Sequence, residues 1–170
     1  MQILETDHLT LRQLEAGDAA FILHLVNEPS WLQYIGDKGV TTLEDAANYI
    51  RTGPVDMYRR LGFGLWLVEL KPEMEPIGMC GLLRRDTLDD VDIGFALLPE
   101  YWNRGYAFEA AAATLEYAKT RLALGRVLAI TRPDNAASCA LLEKLGFALE
   151  RLVRLSPDDD ELRLYSLNLQ

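Results

Sequence analysis

At the start of the chain Leu9 and Leu11 interleave with Thr10 and Arg12, and this two-residue period predicts a strand over residues 8–13. The period then lengthens. Asp18 stands where an N-cap belongs, ahead of Phe21, Ile22 and Leu25 on one side of a helix. Asn27-Glu28-Pro29-Ser30 leads into a short segment with Trp31 and Tyr34. A clearer helix starts at Thr42, which forms a capping-box pattern with Asp45 ahead of an apolar face of Leu43, Ala46, Ala47 and Ile50. Gly53-Pro54 is expected to interrupt it, with Pro54 opening another short helix that ends at Gly62.

From there the strand period returns. Runs at 65–70, 77–83 and 91–97 are separated by Lys71-Pro72-Glu73-Met74-Glu75-Pro76 and by the 86–90 cluster, which predicts an antiparallel meander. Residues 105–122 form the longest helix candidate, with Ala107, Ala111, Leu115, Ala118 and Leu122 on one stripe and Gly125 as its stop. A buried strand at 126–131 and a helix at 135–145, closed by Gly146, come next. Two strand-like stretches, 147–155 and 162–169, flank Ser156-Pro157-Asp158. Strands and helices in this order predict a mixed α/β, or α+β, sheet protein. With no repeats or long linkers, residues 1–170 read as a single domain.

Charge changes the picture most. The 17 basic and 26 acidic side chains leave a net charge of −9, which argues against a nucleic-acid partner, whose phosphates call for cations, and against an anionic membrane surface. The same field repels any anionic cofactor unless local groups oppose it. No window approaches the roughly 18 apolar residues of a membrane helix, and the first five residues carry no basic region of a secretory signal. Cys80 and Cys139 lie far apart, and His8 and His24 have no ligand spacing to them, so no disulfide framework and no metal is expected. A reducing cytoplasm is the simplest compartment, with monomer and homodimer both open.

Chemistry concentrates at two helix starts. In Phe95-Ala96-Leu97-Leu98-Pro99-Glu100-Tyr101-Trp102-Asn103-Arg104-Gly105-Tyr106-Ala107 a strand turns into the long helix, whose first amides and dipole form an anion site that Gly105 and Ala107 leave open. The segment lacks the Gly-Lys-Ser/Thr of a P-loop and the glycine triplet of a dinucleotide turn. The second start, Pro133-Asp134-Asn135-Ala136-Ala137-Ser138, reads by itself as an N-cap with a local serine bond.

Together, and with Asp92-Ile93-Gly94-Phe95 ahead of them, these motifs resemble the GNAT superfamily of acetyl-CoA-dependent N-acetyltransferases, most closely its RimJ/RimL-type branch. The resemblance covers almost the whole chain. It implies a central, mostly antiparallel twisted sheet of about six to seven strands with helices on both faces. It also implies that the amides of Asn103, Arg104, Gly105, Tyr106 and Ala107 cradle the CoA pyrophosphate. The strand at 95–98, with Phe95, Leu97 and Leu98, would splay from its neighbour and pair with the pantetheine arm, while Asn135 and Ser138 contact the cofactor from the other side. Trp102 departs from the superfamily pattern, where Gln or Arg is usual. Leu142 departs again, where many members carry a tyrosine that protonates the leaving thiolate.

By the same resemblance Asp92 matches the position of a general-base glutamate and acts through a water, its side chain being shorter. Against this stands a solvent-facing Asp in an acidic turn with Asp86, Asp89 and Asp90. Ser138 is the best thiol-side proton donor, and a backbone N–H near Leu97 or Leu98 the oxyanion donor. Cys139, with no histidine near it in sequence, reads as a small buried residue. Trp31, Tyr34 and Trp66 are candidates for an acceptor pocket, with plain core packing as the alternative. The expected activity is acetyl transfer to a primary amine, on a protein N-terminus or a small molecule. The alternatives are a non-catalytic acyl-CoA sensor on the same fold, motivated by Leu142, and a nucleotide-phosphate binder. The acids near Asp92, with Asp158, Asp159, Asp160 and Glu161 in a late turn, further suggest a negative field that steers a cationic amine to the site.

Overall fold

In the computed structural model, which describes residues 1–170, Gln2–Glu5 (β1) and Leu9–Arg12 (β2) form an antiparallel hairpin at one sheet edge. β1 is a strand that the apolar pattern does not predict, because four residues with a bulge between Gln2 and Leu4 carry too little alternation to register. Ala19–Val26 (α1), Pro29–Tyr34 (α2), Leu43–Ile50 (α3) and Asp56–Leu61 (α4) follow. Asp18 precedes α1 without capping it: its carboxylate accepts the Glu15 N–H at 2.9 Å and both terminal nitrogens of Arg12 at 2.8 and 2.9 Å. The Thr42 capping box forms as its pattern predicts, with Asp45 N–H donating to Thr42 Oγ1 at 3.0 Å.

The expected break at Gly53-Pro54 does not occur. Residues Arg51–Val55 make a wider π turn that joins α3 to α4 in one helical run. The wider turn accommodates a proline that has no N–H to give and whose ring crowds the preceding turn. Gly62 ends the run in the left-handed conformation, at φ 81°.

Leu65–Leu70 (β3), Glu75–Leu83 (β4) and Asp92–Leu97 (β5) form the antiparallel meander. Tyr106–Thr120 (α5) crosses one face; its chain turns away before Gly125, with Ala123 at φ 53°. Arg126–Thr131 (β6), Ala136–Lys144 (α6), Ala148–Val153 (β7) and Leu162–Asn168 (β8) complete an eight-stranded sheet in the order β1-β2-β3-β4-β5-β6-β8-β7. Every pairing is antiparallel except β5 with β6.

Alternation sends successive side chains to opposite faces, so the sheet divides two hydrophobic cores. Trp66, Val68, Ile77, Cys80 and Leu82 pack with Ala110, Ala111, Leu115 and Ala118 of α5 and Leu142 of α6. Leu67 and Met79 point the other way, onto Ile22 and Leu25 of α1, Trp31 of α2, and Ala46 and Ile50 of α3.

At Gly81 the neighbouring strand comes so near that a Cβ would lie 2.1 Å from the Gly64 carbonyl oxygen. Gly81→Ala is expected to destabilise the fold by about 2–4 kcal/mol through forced strand displacement. Urea denaturation checks this, with a lowered midpoint at unchanged slope as the expected result.

Candidate active site

β5 and β6 share a single bridge, Asp92 opposite Leu128, with Leu128 N–H donating to Val91 O at 2.9 Å. Beyond it they part. β5 stays bonded to β4, where Leu98 N–H donates to Ile77 O at 2.8 Å. In an antiparallel ladder the bonded direction alternates along the strand, so the N–H groups of Phe95 and Leu97 face the opening toward β6. The Leu97 carbonyl also faces it, and the Trp102 indole N–H donates to this carbonyl at 2.9 Å. Trp102 therefore braces the strand end. Leu98, by contrast, is buried and its amide is spent on Ile77, so of these two amides only that of Leu97 faces the opening.

After a short 3-10 turn over Pro99–Tyr101, Asn103 and Gly105 adopt left-handed conformations, at φ 62° and 83°. Such turns aim successive amides to one side. The N–H groups of residues 103–108 donate to no acceptor within the chain, and α5 begins its own bonding only at Glu109, whose N–H reaches Gly105 O at 3.0 Å. Nothing lies within 4 Å of where a Gly105 Cβ would sit, so the concavity is open. The Arg104 guanidinium stands 5.8 Å from the centre of the Tyr101 ring, and Arg104 itself is not among the residues lining the cleft.

At the opposite wall Asn135 Oδ1 accepts the Ser138 N–H at 3.2 Å and caps α6. Ser138 and the buried Leu142 both line the same cleft. The cleft has a volume of about 1180 Å³ and brings together Trp31, Tyr34, Asp92, Phe95, Leu97, Asn103, Gly105, Tyr106, Ala107, Asn135 and Ser138. Trp66 is excluded. Alternation along β3 turns its indole into the core, edge-on to Tyr117 at 5.2 Å, and brings Leu65 to the cleft instead.

Asp92 is 1% exposed, not a solvent-facing turn residue. Its carboxylate accepts from Arg85 Nε at 3.1 and 3.3 Å. Burial pushes the carboxyl up to about 6, with Arg85 pulling in the opposite direction. The other acids of the 86–90 turn stay outside the cleft, and Asp90 pairs with Arg126 at 3.5 Å, whereas Asp159 and Asp160 of the late acidic turn line it. Arg85, Lys38 and Tyr49 also line this end of the cleft, and sequence reasoning missed all three. The signal available for Arg85 was a basic pair, Arg84-Arg85, at the mouth of an acidic turn.

The acetyltransferase (GNAT) domain model matches residues 8–148. The uncharacterized N-acetyltransferase YoaA of Bacillus subtilis is 32% identical over 153 residues, 89% of this chain and 86% of that protein. An acetyltransferase from Agrobacterium tumefaciens is similar in structure, with a TM-score of 0.83 at 26% identity, covering 99% of this chain and 94% of that one. RimL, a ribosomal L7/L12 alpha-N-protein acetyltransferase solved in complex with coenzyme A, shares the fold with a TM-score of 0.81 at 20% identity, covering 99% and 97%.

A raised carboxyl in the folded state makes folding favour protonated Asp92. That contribution is fully present below the ordinary 3.8 and is lost as pH rises through about 6. Measured against Asp92→Asn, the native chain is expected to lose about 2 kcal/mol of stability between pH 4 and pH 8. Urea titrations of both proteins at the two pH values check this, and parallel behaviour would overturn the assignment.

Proposed function

Given that the chain belongs to the GNAT acetyltransferase family, we propose that it transfers the acetyl group of acetyl-CoA to a primary amine, a protein N-terminal α-amine or a small-molecule amine. The observation that carries this reading is the run of six unpartnered amides, 103–108, beside the opening between β5 and β6. Neutral donors of this kind take a pyrophosphate at any pH, and they do so in a chain whose net charge is −9.

In this reading the amides of Asn103, Gly105, Tyr106 and Ala107 hold the pyrophosphate, with the Arg104 amide among them. The free edge of β5 at Phe95 and Leu97 aligns the pantetheine arm, and Asn135 and Ser138 close the other wall. Acetyl-CoA, when bound, supplies an activated thioester. The chain's own task is to orient an amine, take its proton and stabilise developing charge.

Asp92 takes the proton through a water, and Arg85 Nε holds its carboxylate in place. An α-amine titrates near ~8 and a lysine-type amine near ~10.4, so delivering a proton to a carboxylate at about 6 is uphill by roughly 3 and 6 kcal/mol. The smaller climb favours an α-amine. The fold shared with RimL, whose name describes an alpha-N-protein acetyltransferase, agrees with that preference. Leu97 N–H faces the developing oxyanion, and Ser138 Oγ gives its proton to the departing thiol in place of the tyrosine that Leu142 replaces. Trp31 and Tyr34 form the wall against which the acceptor packs.

Release of CoA thiol across a panel of amines and peptides tests the reading, with α-amines expected to be turned over fastest. Background release throughout, in a protein that still binds acetyl-CoA, would leave a sensor. Gly105→Val is expected to weaken acetyl-CoA binding at least about tenfold in calorimetry, by strain at a positive φ. Asp92→Asn is expected to lower kcat/KM about 100-fold and to abolish the acid limb near pH 6. Ser138→Ala is expected to lower kcat about tenfold without changing CoA affinity, and near-native turnover would assign thiol protonation to solvent.

A further inference from the structure

One end of the cleft holds two cations with donors to spare, Arg85 and Lys38. Several arginines elsewhere meet carboxylates through their terminal nitrogens, Arg126 with Glu150, Arg132 with Asp160 and Arg12 with Asp18, each at 2.8 Å. Arg85 meets Asp92 differently. Only its Nε is engaged, by the buried Asp92, and neither terminal nitrogen has an acceptor within the chain. Lys38 has no ion-pair or hydrogen-bond partner, in a chain with 26 carboxylates. Both line the same cleft.

The two groups lie close enough to feel one another. Lys38 is an exposed residue, and partial desolvation at the cleft and then the Arg85 charge lower its pKa from the ordinary lysine value. Arg85 acts in the same way on Tyr49, whose hydroxyl is raised by burial and partly relieved by the guanidinium. Two acids that line the cleft are engaged, Asp92 by Arg85 and Glu28 by His24 at 3.2 Å. An anion that joined two like charges lining one cleft would relieve their repulsion.

We propose that Arg85 and Lys38 form a carboxylate subsite, so that the acceptor is a primary amine carrying a carboxylate a few bonds from its nitrogen. This rests on the acetyl-transfer reading of the same cleft. A guanidinium whose Nε is anchored presents its remaining N–H groups as a fixed fork, the geometry that a carboxylate accepts bidentately, and Lys38 adds a point charge. One guanidinium then spans both halves of the acceptor. Its inner edge holds the base that takes the amine proton, and its outer edge holds the acid group. Two sources share this chemistry: a free amino acid, and a peptide N-terminus with an acidic residue beside the amine.

Matched acceptor pairs separate the possibilities. Thiol release is measured with free amino acids against their amides, and with amidated peptides that carry Asp or Asn at the second position. The native protein is expected to prefer the carboxylate member of at least one series by about tenfold or more in kcat/KM, and the series showing the preference identifies the source. In Lys38→Gln that ratio is expected to fall to within about threefold, mostly through KM, and Lys38→Arg is expected to restore it. Raised salt is expected to compress the native ratio. Equal turnover of both members, a preference for the amides, or a ratio unchanged in Lys38→Gln overturns the carboxylate subsite and leaves acetyl transfer standing. Background release with every acceptor overturns both.

Discussion

Two strands that lie side by side and bond only once govern everything else in the cleft. β6 is tied along its outer edge to β8 by six antiparallel pairs, and β5 along its outer edge to β4 by another six. Each strand is thus firmly held from outside and released within. The inner edges beyond Asp92 and Leu128 carry N–H groups with no strand to meet, and a buried amide left unpaired costs about 1–3 kcal/mol. A wedge lined in this way is stable only if water or a polar guest fills it. The same parting aims the first turn of α5 and the cap of α6 at a common space, because both helices follow the strands that diverge.

Electrostatics at the two ends of that space follow opposite rules. At the α5 end the donors are backbone amides, whose strength does not depend on titration and whose partial charges sit within a net-negative molecule without cancelling any particular carboxylate. At the Asp92 end the work falls to full charges in a buried pair, where burial and Arg85 contest the state of one proton. A diphosphate, anionic across the working range, suits the first arrangement. A group that must gain and lose a proton in each turnover suits the second.

Regular periodicity was readable from residues alone, and departures from it were not. The meander, α5, α6 and the Thr42 cap stand where alternation and capping residues indicated. The π turn at Pro54 was not legible, because proline chemistry states what an α-helix cannot do and is silent on a wider turn that avoids the conflict. Trp66 illustrates a different limit. An aromatic in an alternating strand has equal local credentials for either face, and only the packing of Tyr117 from α5 decides between them. Asp92 was legible by position but not by state, since its burial arises from elements far off in sequence. Arg85 and Lys38 escaped notice because each is an ordinary surface residue in its own neighbourhood. Their common meaning exists only where the 36–40 loop and the end of β4 face one cleft.

The sheet's division into two cores has a consequence for how such a molecule can change. α5 and α6, whose first turns face the cleft, rest on Trp66, Val68, Cys80 and Leu82, whereas α1, α2 and α3 rest on Leu67 and Met79. Neither layer leans on the other except through alternate side chains of the same strands. Changes confined to α1, α2 and α3 therefore leave the support beneath α5 and α6 in place. One helical layer can be rebuilt while the other keeps its footing.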